Sequence, residues 1–155
     1  MNTEIYEKGL QALEAKDYKA AVRDFEMVLK DLDEHDELYN RVASYAGLAQ
    51  VLVSNRNGLL ICRDVASSET QDGTVFLNLA CAEWHCHNRK RALDAVYGGC
   101  KIDANNKLLQ RASVLLDHRE CGFFKYLPLR HSLNRAFGHL FRCSCDDVDV
   151  HSLLY

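Results

Sequence analysis

Two stretches of the chain follow one plan: KDYKAAVRDFEMVLKDLD, from Lys16, and HNRKRALDAVYGGCKIDANN, from His87. Each opens with a short polar turn. Each continues into a helical pattern with a small residue near its start, Ala21 or Ala92, and an apolar residue four positions on, Phe25 or Val96. Each closes on an acidic, polar stop. The preceding segments match as well, since Gly9 lies twelve residues before Ala21 and Ala80 twelve before Ala92. A third, more divergent copy fits between them: Ala46 and Gly58 keep the same separation, Cys62 takes the place of Phe25, and the copies start 37 and then 34 residues apart. Such a unit is two antiparallel helices joined by a tight turn. Paired small residues let the two backbones approach where they cross. A unit of this size buries its apolar face by stacking on a neighbour, so the pattern demands an array.

Seven helices are expected, over about residues 2–15, 17–32, 37–53, 56–67, 73–86, 89–101 and 106–118, with the last as a cap on the outer apolar face. Polar turns such as EHDE, SNRN and DANN separate them. A single proline, Pro128, leaves long helices uninterrupted, and no alternating apolar pattern of a strand is found.

The spacing of Gly9, Tyr18, Ala21 and Phe25 in the first copy, and of Leu79, Ala80 and Ala92 in the third, resembles the tetratricopeptide repeat over about residues 3–106. The match departs from the family at Ala104, where DANN stands in place of the usual Asp-Pro ending. The resemblance implies an all-α, right-handed superhelix of three hairpins with C-terminal capping helices. It also implies that the first helix of each hairpin lines a concave groove. The family's register assigns Tyr6, Leu10, Leu13 and Glu14 to that groove in the first copy. It assigns Asn40 and Gln50 in the second, with Ala43, Gly47 and Val51. In the third it assigns Leu77, Cys81, Trp84 and His85. Proteins of this family serve many unrelated partners, so the resemblance speaks to fold more than to function.

The stretch CAEWHCHN, residues 81–88, concentrates two cysteines, two histidines, a glutamate and the sole tryptophan. Cys81 and His85 share a helix face. A structural zinc needs four ligands and a catalytic zinc three, and Cys86 points about 100° away from His85. Cys143, Cys145 and His151 would have to fold back a long way to complete a set. No metal and no cofactor are therefore expected. Cys81 with His85 would make a thiolate pair, but no oxyanion donors accompany them, and Gly98–Gly99–Cys100 lies inside a helix, where the glycines admit a close neighbour. Non-catalytic binding is the expectation, with Trp84 and Tyr6 as aromatic anchors.

Charge divides the chain unevenly. Residues 1–37 carry 5 basic and 11 acidic side chains, residues 107–142 carry 7 and 2, and the last 13 add three aspartates. The acidic front argues against nucleic acid as a partner. No apolar leader is seen, and no run reaches the roughly 20 apolar residues of a membrane span. Seven cysteines with no export signal fit thiols in a reducing cytoplasm.

Three regions are expected: a repeat domain with its cap over 1–118, an aromatic loop and basic amphipathic helix over 119–142, and an acidic, disordered tail over 143–155. In the second region Arg130, Arg135 and Arg142 alternate with Phe137 and Phe141 at helical spacing, a pattern shared by a capping helix, a partner helix and a membrane-surface helix. Two functions follow. The first is a cytoplasmic adaptor or scaffold, chaperone-like in its size and repeat count, that binds a protein segment in the groove. The second is a peripheral membrane factor acting through residues 123–142, and either is compatible with a homo-oligomer.

The small-residue seam gives a direct test. Ala92→Leu inserts methylenes where two helices cross. The denaturant midpoint should fall by the equivalent of about 1–3 kcal/mol.

Overall fold

The computed structural model describes residues 3–116 and Leu154. Among the described residues the protein is all-helical, with α1 (Thr3–Glu14), α2 (Tyr18–Lys30), α3 (Tyr39–Leu52), α4 (Asn57–Ser68), α5 (Gly73–His85), α6 (Arg89–Ile102) and α7 (Lys107–Leu116). Helices α1 and α2, α3 and α4, and α5 and α6 pack as pairs. The pairs are joined edge to edge, with α2 against α3, α3 against α5 and α4 against α5, while α7 closes the array on α6 and α5.

The three turns inside the pairs share one geometry. Lys16, Ser54 and His87 have φ of 62°, 67° and 60°. In each, the left-handed residue donates its N–H to the carbonyl three back (Leu13, Val51, Trp84), and the next residue donates to the carbonyl five before it (Ala12, Gln50, Glu83) at 2.9 Å. This is the Schellman stop, which satisfies carbonyls that the helix end would otherwise orphan. None of the three is glycine, so tertiary packing holds each turn against a local steric cost of about 1 kcal/mol.

Those turns set the register of the copies. Gly9 precedes Lys16 by seven positions and Ala80 precedes His87 by seven. In the middle copy the residue seven before Ser54 is Gly47, not Ala46. Contacts agree: a Cβ placed on Gly9 would meet the Phe25 ring at 2.8 Å, and one on Gly47 would meet Cys62 Sγ at 2.8 Å and the Gly58 carbonyl at 2.7 Å. Cys62 thus does occupy the place of Phe25, but the expected small residue on α3 shifts by one. The cause lies at the start of α4. There Gly58 and Leu59 donate to carbonyls three back, Asn55 and Arg56, whereas Ala21 and Ala92 donate four back, to Asp17 and Asn88. A 3₁₀ turn advances the chain with fewer residues, so Gly58 reaches the crossing one position early.

The junctions differ. Between α2 and α3 the side chains are large: Phe25 stacks on Tyr45 at 5.5 Å, and Tyr6 meets both rings, at 6.0 and 6.3 Å. Between α3 and α5 the contact is tight and partly polar, with Ser44 and Asn78 fully buried and the Asn78 Nδ2 donating to Ser44 Oγ at 2.9 Å. At the far end Leu109 of α7 seats over two glycines, and a Cβ on Gly73 or Gly99 would come within 2.8 or 2.9 Å of it. Gly99 thus admits a neighbouring helix, as its place inside a helical pattern implied. Leu154 joins the same core cluster.

Two glycine substitutions separate crossing from surplus. A Cβ on Gly58 runs into the Gly47 carbonyl, so Gly58→Ala should destabilise by about 1–3 kcal/mol. At Gly98 the new methyl would meet only the Phe76 ring, at 3.4 Å, and Gly98→Ala should stabilise by roughly 0.5–1 kcal/mol through helix propensity. Chemical denaturation of both variants checks the pair.

Candidate functional site

The first helices α1, α3 and α5 carry the candidate groove residues, and burial sorts them. Leu13, Leu77 and Cys81 are 1%, 2% and 0% exposed. They belong to the core, and no partner can reach them, which corrects the groove assignment of all three. Helices α3 and α5 are apolar on most sides because neighbours enclose them. In such helices a register alone does not separate the face toward a groove from the face toward the core.

Asn40 and Gln50 were assigned with the register that Gly47 displaces. Both side chains turn toward neighbouring elements instead: Asn40 Nδ2 donates to Glu69 at the end of α4 (3.0 Å), and Gln50 Nε2 to Glu26 of α2 (2.9 Å). Leu10 and Tyr6 are half-buried against the core. Glu14 and His85 are exposed. Trp84 is half-buried, with the Arg89 guanidinium 5.4 Å from its ring centroid. Tyr45, half-buried against Phe25 and Tyr6, and Arg41, paired with Asp72, were not among the expected groove residues. One position's shift of register brings Arg41 into the groove set, and the signal for that shift was Gly47, a closer match to Gly9 than alanine. Arg130, Arg135, Phe137, Phe141 and Arg142, with the regions 119–142 and 143–155, lie outside the described residues.

Two ionic clamps hold the helices that carry these groups. Glu83, 2% exposed on α5, accepts from Arg63 Nε at 2.7 Å and from a second guanidinium nitrogen at 3.0 Å. Asn88 Nδ2 reaches the same carboxylate at 2.7 Å, tying α4 to the α5–α6 turn. At the opposite end Arg41 Nε meets Asp72 at 2.6 Å, and Asp72 accepts from the Thr74 N–H at 2.9 Å, capping α5. Glu69 gathers the backbone N–H groups of Thr70, Gln71 and Asp72 at 2.8–3.0 Å.

Burial pushes the Cys62 thiol up to about 12, helped by the Glu83 carboxylate. Burial likewise raises the Cys81 thiol, with Cys62 adding to it. Both stay protonated at neutral pH, and a protonated thiol is a poor nucleophile and metal ligand. Cys81 is enclosed in the core, while His85, one turn on, is exposed. Among the described residues no group of three His, Cys, Asp or Glu side chains is placed to hold a metal ion. Nor, among them, is any helix long and apolar enough to cross a membrane.

Between the turns of the second and third pairs lies a cavity of about 460 Å³. Ser54, Arg56, His85, His87 and Asn88 give it polar walls, and Val51, Leu59 and Cys86 an apolar one. A second recess, between α4, α5 and α6, sets Phe76 and Leu79 among the opposed charges of Arg63, Glu83, Arg91 and Asp94.

No protein-family model, curated protein or solved structure matches the chain.

The acidic clamp makes stability depend on pH in a stated direction. Burial works to raise the Glu69 and Asp72 carboxyls. The backbone N–H groups and Asn40 at Glu69, and Arg41 and Thr74 at Asp72, outweigh it and hold both below their ordinary values of 4.5 and 3.8. Their contribution is therefore complete above those values and is lost as the pH falls through the depressed ones. Acid titration followed by circular dichroism should show unfolding below about pH 4, and Asp72→Asn should flatten that limb while lowering stability at neutral pH.

Proposed function

We propose that the protein is a tetratricopeptide-like adaptor that binds a segment of another protein along its first helices without catalysing a reaction. What supports this reading is the set of large amphipathic rings left half-accessible on those helices: Tyr6 on α1, Tyr45 on α3 and Trp84 on α5. Tyr6 and Tyr45 are in ring contact, and α3, which carries Tyr45, packs directly on α5, which carries Trp84. Aromatic rings of this kind bring much contact area for little lost side-chain entropy. Fully buried rings would carry only stability, whereas these keep an edge toward solvent.

Charge gives the partner a direction. Glu14 stands exposed at the end of α1 in a hairpin rich in acidic residues, and favours basic residues in the partner there. His85 and His87 stand exposed at the turn end of the third pair, where Arg89, Lys90 and Arg91 open α6.

The test uses the single tryptophan. Trp84 fluorescence in the free protein should respond to acrylamide and become shielded when a captured partner is added. Tyr6→Ala and Trp84→Ala should each weaken that complex by about 2 kcal/mol while circular dichroism stays unchanged. Retention of the same partner at unchanged affinity by the double variant would refute the assignment.

A further inference from the structure

The cavity between the second and third turns has a chemistry of its own, apart from the rings on which the adaptor reading rests. Part of its wall comes from a guanidinium, Arg56, and two imidazoles, His85 and His87, and among the described residues no carboxylate lines it. None of these three makes an ion pair among the described residues. The nearest buried acid, Glu83, is already satisfied by Arg63 and Asn88. Ser54 adds a hydroxyl from its left-handed turn position.

The start of α6 adjoins the same cavity through Asn88. Asp17 and Asp72 cap α2 and α5 by accepting from first-turn N–H groups. Asn88, the corresponding residue of α6, makes no such cap because its amide is drawn off to Glu83. The positive end of the α6 dipole is thus left without a side-chain cap, beside a cavity that Asn88 itself lines. Arginine, imidazoles, a hydroxyl and a helix start are the donors that bind phosphate oxygens.

The apolar wall narrows the choice further. Val51 is buried, and Leu59 and Cys86 are half-buried. A cavity of about 460 Å³ falls within the range of small-molecule sites. A free phosphate ion would leave the apolar wall unused.

We infer that this cavity is a binding site for a small organic phosphomonoester, its phosphate held by Arg56, His85 and His87 and its apolar body against Val51, Leu59 and Cys86. Two other recesses among the described residues lack this character: the one beside Phe76 mixes Arg63 and Arg91 with Glu83 and Asp94, and the one around Leu60 is shallow and sets Arg63 beside Asp64. The inference does not depend on the adaptor reading, since none of its three rings, Tyr6, Tyr45 and Trp84, lines the cavity.

Calorimetry with the full chain tests it, using phenyl phosphate and inorganic phosphate as probes. Phenyl phosphate should bind saturably, and inorganic phosphate about tenfold more weakly, because it forgoes the apolar wall. Arg56→Gln, at an exposed position that leaves the fold intact, should weaken phenyl phosphate by about tenfold. Lys19→Gln removes the same charge from the first pair and should change the affinity by less than about twofold. Three results would each overturn the site: no saturable binding of phenyl phosphate, equal affinity for the two probes, or equal losses in the two variants. The last would mean diffuse attraction in place of a defined pocket.

Discussion

Everything in this array depends on how closely two helices cross inside each pair. The approach is set by a small residue on the first helix meeting a packed residue on the second: Gly9 against Phe25, and Gly47 against Cys62 and the backbone of Gly58. In the third pair Ala80, Ala92 and Val96 are all fully buried. Close crossing brings side chains from flanking helices within reach, and so allows α2 to touch α3 and α4 to touch α5. A bulkier residue at a crossing would push the pair apart and weaken its junctions with its neighbours.

Helix positions were legible because their signals are local. Polar turns, a small residue at fixed offset and an apolar residue four later recur in plain sequence, and all seven expected helices are present with ends within a few residues. The register of the middle pair was not legible to the same degree. Ala46 and Gly47 are adjacent, and counting twelve back from Gly58 chose the wrong one, since nothing in SNRN announces a 3₁₀ start. The division between groove and core failed for a different reason. Leu13, Leu77 and Cys81 have the right spacing for a groove, but spacing describes one helix, while burial is decided by how many neighbours surround it. Trp84 came out between the alternatives, with part of its surface against the core and Arg89 near its ring.

The charge pattern also changes meaning once the chain is folded. Read along the sequence, acid dominates the front. Read along the helix axes, the segments joining one pair to the next hold Asp31, Asp33, Glu34, Asp36, Glu37, Glu69 and Asp72, while the turns within the later pairs are flanked by Arg56, Arg89, Lys90 and Arg91. Alternating connections of an antiparallel array fall at opposite ends, so the fold converts a sequence of mixed charge into an object with two electrical poles. The clamps exploit both poles, Arg41 reaching into the acidic end and Glu83 drawing in Arg63 near the basic one.

The unequal junctions bear on how such a chain could be rearranged. Stacked aromatic rings join the first pair to the second, and a buried amide–hydroxyl bond between Asn78 and Ser44 joins the second to the third. The second pair therefore has one surface shaped for the first and a different one for the third. Exchanging two pairs, or duplicating one, would oppose rings to an amide and strand polar atoms in an apolar seam. The order of the units is thus written into their interfaces, and the chain behaves as three parts that fit in only one sequence.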